Sequence, residues 1–245
     1  MFFIGAATIC TYSLHRYLGP RYTFYLLEKD GVKQYVWKKH YNLIVFGLFS
    51  LLLLTMLVRF FTWYFILLVP PSFITLFYLF PFPGWGKTLK QLPYLKTFLI
   101  PFVFVWVAVL IPTIIQNQMP EFYLTLSTVV WVFIFVFSIT LPFDVRDKHF
   151  DKEEGIKTLV HDLGKRQSIV LSIAMLLLIP AIHFVLWSSH TIEIFHLVVI
   201  FCVILITTLL IRKSATQRDD LYFYLYLDGS LSLFYWFYFA LKWLF

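Results

Sequence analysis

Four stretches of this chain, residues 60–86, 97–120, 122–143 and 167–192, contain no Asp, Glu, Lys or Arg. Each reaches or exceeds the roughly 20 residues that a helix needs to cross a bilayer. Inside hydrocarbon every backbone N–H and C=O must find a partner within the protein, which leaves helices or closed barrels as spanning structures. Only 13% of the 245 residues are charged and 60% are hydrophobic, whereas soluble domains carry about 25% charged residues. Residues 42–58 and 194–211 are shorter but adequate with some mismatch. Residues 221–241 span if Asp228 is tolerated, and residues 1–14 form an eighth apolar segment closed by His15 and Arg16. That first segment has neither the positive start nor the small-residue cleavage site of a signal peptide. The expectation is an all-α integral membrane protein, with about eight transmembrane helices in one domain over residues 1–245.

When the connections are assigned to alternating sides, every lysine and arginine except Arg59 and Lys242 falls on one side. The positive-inside rule makes that side cytoplasmic, and the expected setting is the inner membrane of a bacterium. An even count of spans puts both termini outside, which suggests a first span lost or a true start upstream. The net charge of +7 follows this topology, and no nucleic-acid partner is expected. Cys10 and Cys202 lie in apolar runs and indicate neither a disulfide framework nor a metal site.

The charges concentrate in "DVRDKHFDKEEGIKT", residues 144–158. Asp144, Asp147 and Asp151 are spaced i, i+3, i+7, which stacks them on one face if the preceding helix continues. Carboxylates so arranged suit Mg²⁺, which takes one or two of them and completes its shell with water and phosphate oxygens. Gly155 allows a turn, Lys157 and Thr158 supply a cation and a hydroxyl, and Lys165 and Arg166 add phosphate-binding capacity. The competing reading is a solvated loop that satisfies the positive-inside rule. That rule accounts for the lysines and leaves the aspartates unexplained, since acids contribute little to topology.

The longer stretch "DVRDKHFDKEEGIKTLVHDLGKR" resembles the second aspartate-rich motif of the UbiA superfamily of intramembrane prenyltransferases. Asp144, Asp147, Asp151, Gly155, Ile156, Lys157, Thr158, Leu159 and Gly164 fall in register. "QLPYLKTFLIPFVFVWV" looks like that family's short loop entering its next helix, with Lys96 at the place of a common basic residue. The resemblance implies a helical bundle, usually of nine spans, with a lipid-open cavity and a cytoplasmic active site. It also implies Mg²⁺ as cofactor, with a polyprenyl diphosphate and a lipid-soluble apolar or aromatic acceptor as partners. Loss of diphosphate would leave an allylic cation that the acceptor captures. Asp147, Asp151 and Lys157 are the expected catalytic residues, and Asp144, Asp147 and Asp151 the expected metal ligands. Lys157, Lys96, Arg16 and His15 are expected on the diphosphate.

The chain departs from the family at the first motif. Where N-D-x-x-D is usual, "TYSLHRYLG" puts Thr11 at the asparagine, Tyr12 and His15 at the two aspartates, and Gly19 at the later one; Arg16 keeps the basic place. With one aspartate motif, one Mg²⁺ would remain. Two readings therefore stand: a prenyltransferase, or a non-catalytic relative that binds isoprenoid lipid or serves as a membrane partner. A third, a small transporter, has only Asp228 in its favour, an acid two turns inside the last helix and functional by default there. Its mundane alternative is an ion pair with Lys213 or Arg218. His183, His190 and His196 are read as interface residues toward the outer side. No P-loop, H-E-x-x-H or Cys-x-x-Cys pattern is present.

Overall fold

The computed structural model describes residues 13, 17, 40–55, 58, 63–84, 86–115, 122–189, 191–216 and 221–244. Among them the secondary structure is helical, with no strand. Four helices are long and apolar enough to cross a membrane by length and composition, as an all-α membrane protein requires. Apart from Ser13, the expected span at residues 1–14 lies outside the described residues, and so do Tyr12, His15, Arg16 and Gly19.

The chain divides into two compact units, Met1–Pro81 and Phe82–Phe245. In the first, α1 (His40–Thr55) is followed by a 3-10 segment, Trp63–Leu68, and by α2 (Val69–Leu79). Prolines at the first positions of α2 cost no helical hydrogen bond, because those amides would have no intrahelical partner. The helix stops where Phe80 turns extended, the conformation imposed on a residue that precedes proline.

The second unit opens with a loop and a 3-10 turn, Leu89–Gln91, that deliver the chain to α3 (Leu95–Ile115). The turn Trp106–Leu110 of α3 is widened to π geometry. It lies just ahead of Pro112, whose ring would press on the Ala108 carbonyl in a regular helix. Then come α4 (Phe122–Glu153), α5 (Leu159–Ser188) and α6 (Ile194–Ser214). The expected span at 221–241 is a π segment, Tyr222–Leu227, leading into α7 (Ser230–Leu244).

Within this unit α4 packs against α3 and α5, α5 against α6, and α6 against α7. Phe135 and Leu141 of α4, Leu176 and Ile179 of α5, Val203 and Ile211 of α6, and Phe223 and Leu227 are wholly or almost wholly buried. Proline inside a helix removes one backbone donor, and in α4 Pro142 leaves the Ser138 carbonyl without its i+4 partner. Ser172 of α5 donates its hydroxyl to that carbonyl at 2.6 Å. The repair comes from a neighbouring helix, as it must where water is absent.

The 32 residues of α4 rise about 48 Å at 1.5 Å each, against a hydrocarbon core of about 30 Å. Its last turns therefore project beyond the membrane interior, and those turns carry Asp144, Asp147 and Asp151. What the sequence presents as a charged connection is thus mostly helix. Gly155, at φ 70°, ends it: the Gly155 amide donates to the Lys152 carbonyl and the Ile156 amide to the Asp151 carbonyl. This is the Schellman pattern, closed by an apolar residue after the glycine, and Ile156 is buried accordingly.

A candidate anion and cation site at the end of helix α4

The i, i+3, i+7 spacing turns all three aspartates inward. Asp144 is 1% exposed, Asp151 6% and Asp147 8%. Burial penalises charged carboxylates heavily unless each finds a partner, and two different cations supply them. Lys96, in the first turn of α3, places its ammonium 2.8 and 2.6 Å from Oδ1 and Oδ2 of Asp151. The same ammonium lies 3.2 Å from Asp144 Oδ1. Thr97 donates its hydroxyl to Asp144 Oδ2 at 2.7 Å. Both carboxylates thus meet the N-terminal turn of α3, where the helix dipole favours negative charge. Removing one member of a buried pair of this kind typically costs about 3–5 kcal/mol, because the other charge stays buried.

Asp147 faces another partner. The Arg146 Nε donates to Asp147 Oδ1 at 2.8 Å. The guanidinium lies over the rings of Phe143, Phe223 and Tyr224, at 5.0, 4.7 and 5.4 Å from their centroids. Arg146 therefore links the end of α4 to the π segment, with aromatic faces stabilising its charge.

The segment after Gly155 is tied back to the chain that enters α3. The Tyr94 amide donates to the Lys157 carbonyl at 2.7 Å, and the Tyr94 hydroxyl donates to Asp162 Oδ2 at 2.5 Å. Lys157, half exposed, pairs with Asp162 Oδ1 at 3.0 Å, and its ammonium lies 5.1 Å from the centre of the Tyr94 ring. Hydrogen bonding with Tyr94, and then with Asp162, holds the Lys157 ammonium above its ordinary pKa of 10.5. Tyr94 adopts φ 63°, a left-handed conformation rare for a residue with a side chain. Lys90 bonds Glu154 Oε2 at 2.7 Å, and Gln91 donates to the Glu154 carbonyl. The 82–94 loop is thus stitched to the end of α4.

Thr158 is fully buried and begins α5 as its N-cap. Its amide donates to His161 Nδ1 at 3.1 Å, so the neutral ring carries its proton on Nε2, which faces the Lys148 carbonyl at 3.2 Å. Its hydroxyl also faces His161. The structure therefore places Thr158 in the cap of α5. Asp228 is exposed, and the cation whose charge acts on it is Arg146; Lys213 lies over the Tyr222 ring, 5.9 Å from its centre. Arg218 is outside the described residues.

Among the expected site residues, α4 brings together Asp144, Asp147 and Asp151 and α3 adds Lys96, while Lys157 pairs one step away with Asp162. Sequence reasoning did not single out Thr97, Arg146, Tyr94, His161 or Asp162 as partners. The "KT" pair after the proline–tyrosine turn was the available signal for Thr97. Hard oxygen donors are present for Mg²⁺, and Asp144 Oδ1 is buried with the Lys96 ammonium 3.2 Å away. The arrangement nonetheless does not fit a chelated metal ion. Lys96 fills the gap between Asp144 and Asp151, and Arg146 holds Asp147. Among the described residues no three Asp, Glu, His or Cys side chains converge as metal ligands would.

The model of one protein family, the UbiA prenyltransferase family, matches residues 40–239 of the chain. No curated protein and no solved structure gives a significant match.

Proposed function

Since the chain belongs to the UbiA prenyltransferase family, a family of membrane prenyltransferases, we propose that it takes the prenyl group of a polyprenyl diphosphate and transfers it to an apolar or aromatic lipid-soluble acceptor. The observation that carries the proposal is the buried Asp144–Lys96–Asp151 arrangement beside the Lys157–Asp162 pair, with a motif order that matches this chemistry. The lysine and arginine asymmetry supports a site on the cytoplasmic face, and a bacterial inner membrane is the setting proposed for it.

The reaction breaks the allylic C–O bond, and its electron pair leaves with the diphosphate. The acceptor forms the new bond to the allylic carbon and gives up a proton. Lys157, half exposed just before α5, is suited to bind the departing diphosphate, and Lys165 and Arg166 add positive charge beyond the kink at Gly164, where φ is 75°. Fixed cations at the place where negative charge develops lower the barrier. Apolar walls would keep water from the cation, and aromatic faces would favour it. Prenyltransferases of this family generally use Mg²⁺; in this chain the carboxylates that would take it hold Lys96 and Arg146.

That pairing, with the replacement of the first motif by Thr11, Tyr12, His15 and Gly19, favours a second reading. The chain would then bind isoprenoid diphosphate without turning it over. Purified protein in detergent, given allylic prenyl diphosphates of graded length with Mg²⁺, separates the two by release of diphosphate. Release that depends on Asp151 supports transfer. Binding that weakens in Asp151→Asn without any release supports the non-catalytic relative. Neither release nor binding would sink both.

A further inference from the structure

We propose that Tyr94 is a positioning residue that fixes where the Lys157 ammonium is presented to an anionic ligand. The inference rests on the proposed reading of Lys157 as the lysine that meets diphosphate, and its test separates the two claims.

Tyr94 holds Lys157 at both ends. Its amide donates to the Lys157 carbonyl at 2.7 Å, and its ring centre lies 5.1 Å from the Lys157 ammonium. Its hydroxyl donates to Asp162 Oδ2 at 2.5 Å, while Oδ1 of that carboxylate stands 3.0 Å from the same ammonium. Backbone, ring and hydroxyl of one residue thus converge on one lysine from a distant part of the sequence. Tyr94 is also the N-cap of α3, and its carbonyl accepts the Thr97 amide at 3.2 Å. The lysine is therefore tied to the helix turn that carries Lys96.

The backbone sharpens the case. Among the described residues Tyr94 is the only non-glycine with a positive φ. Conformations of this kind persist where the surroundings over-determine them, and they cluster at functional sites. Glycine or asparagine takes φ 63° at lower cost, so the turn alone does not account for a tyrosine. What tyrosine adds is an aromatic face for a cation and a hydroxyl for Asp162.

Both additions serve exchange with an anion. The Lys157 and Asp162 side chains are 49% and 48% exposed, so a ligand can reach the ammonium. When a phosphate oxygen takes the place of Asp162 Oδ1, the carboxylate keeps the Tyr94 hydroxyl as its partner. The ring keeps the ammonium seated, and a lysine head already held has less freedom to lose on binding.

The test is calorimetric binding of inorganic diphosphate to the purified full-length chain in detergent, with thermal unfolding of each variant alongside. Tyr94→Asn suits the left-handed backbone and should stay folded. It should bind diphosphate at least about three-fold more weakly, the scale of an exposed cation–π contact. Tyr94→Phe keeps the ring and should bind more tightly than Tyr94→Asn. In a Lys157→Ala background, Tyr94→Asn should change binding no further, because its effect passes through that lysine. A smaller loss in folded Tyr94→Asn, or the same loss in both backgrounds, overturns the proposal. A second measurement needs neither ligand nor Tyr94→Asn. Acetylation of the Lys157 amine at fixed pH, read by mass spectrometry, should run faster in Tyr94→Phe than in the wild type, because the hydroxyl holds the lysine's carboxylate partner in place. Unchanged acetylation also overturns it. If acetylation responds as expected while the wild type binds no diphosphate, the hold of Tyr94 on Lys157 stands and the diphosphate reading falls.

Discussion

Ser172 hydrogen-bonds the backbone carbonyl of Ser138 at 2.6 Å, and that carbonyl is the one Pro142 leaves unpaired in α4. The defect and its repair lie on different helices. Ser172→Ala is therefore expected to destabilise the bundle by about 0.6–1.7 kcal/mol, the span measured for such bonds inside membranes. In a Pro142→Ala background the amide at 142 can bond Ser138 itself, and the same substitution should cost close to nothing. Unfolding in mixed micelles across this double-mutant cycle reads the coupling. Equal costs in both backgrounds would rule out the link.

The end of α4 gives a second expectation. Gly155 sits at φ 70°, and a Cβ placed there would meet nothing within 4 Å. The cost of Gly155→Ala is therefore purely conformational, about 1–2 kcal/mol for a left-handed residue with a side chain. Gly155→Asn should cost less, since asparagine tolerates that region. Thermal unfolding of the two variants decides it; alanine no worse than asparagine would contradict the capping account.

Asp151 and Asp147 hold different cations, Lys96 and Arg146 respectively. Their amides should therefore fail differently. Asp151→Asn is expected to lower diphosphate release by roughly a hundred-fold or more, the scale seen when one preorganised electrostatic partner is lost. Asp147→Asn should act through the seating of Arg146, so that adding Arg146→Met changes little further. Additive losses in that double variant would separate the two residues and defeat the expectation.

For the raised pKa of Lys157, the sign is fixed by its partners Tyr94 and Asp162. Pairing that raises a lysine is fully present below its ordinary value of 10.5 and is lost only as the pH climbs through the raised one. Over about pH 6 to 9 this lysine stays charged. Lys157→Ala should therefore weaken diphosphate binding evenly across that window without altering the shape of the profile. An inflection near neutrality that vanishes in Lys157→Ala would be inconsistent with this.

Asp162 offers an outcome opposite to simple damage. Its carboxylate competes with an anionic ligand for Lys157. Asp162→Asn should tighten inorganic diphosphate by about two- to five-fold, the modest scale of an exposed ion pair. Weaker binding in that variant, measured by calorimetry, would make Asp162 a support for the site instead of a competitor.

How far these relationships were visible beforehand depends on their range along the chain. Asp144, Asp147 and Asp151 share a face by helical periodicity alone, and a glycine after a helical run marks its end; both are local. The partner of Asp151 is not local. Lys96 belongs to another helix, and only the packing of α3 on α4 brings its ammonium to two carboxylates at once. Pro142 announces an orphaned carbonyl, yet nothing in the linear order says that Ser172 answers it. Tyr94 is less legible still, because a left-handed tyrosine is held there by its bonds to Lys157 and Asp162 and not by its own preference. The charges of 144–158 suggested a connection, whereas burial of one face and a continuous hydrogen-bond ladder keep it helical to Glu153.

Because one uninterrupted helix carries both the membrane-crossing residues and the aspartates, the position of the head-group chemistry along the bilayer normal is counted out in residues. Inserting a single residue between Phe122 and Asp144 would raise the carboxylates by about 1.5 Å and swing them about 100° around the axis, away from Lys96. The helix works as a ruler, and the site it carries has no hinge with which to correct an error in length.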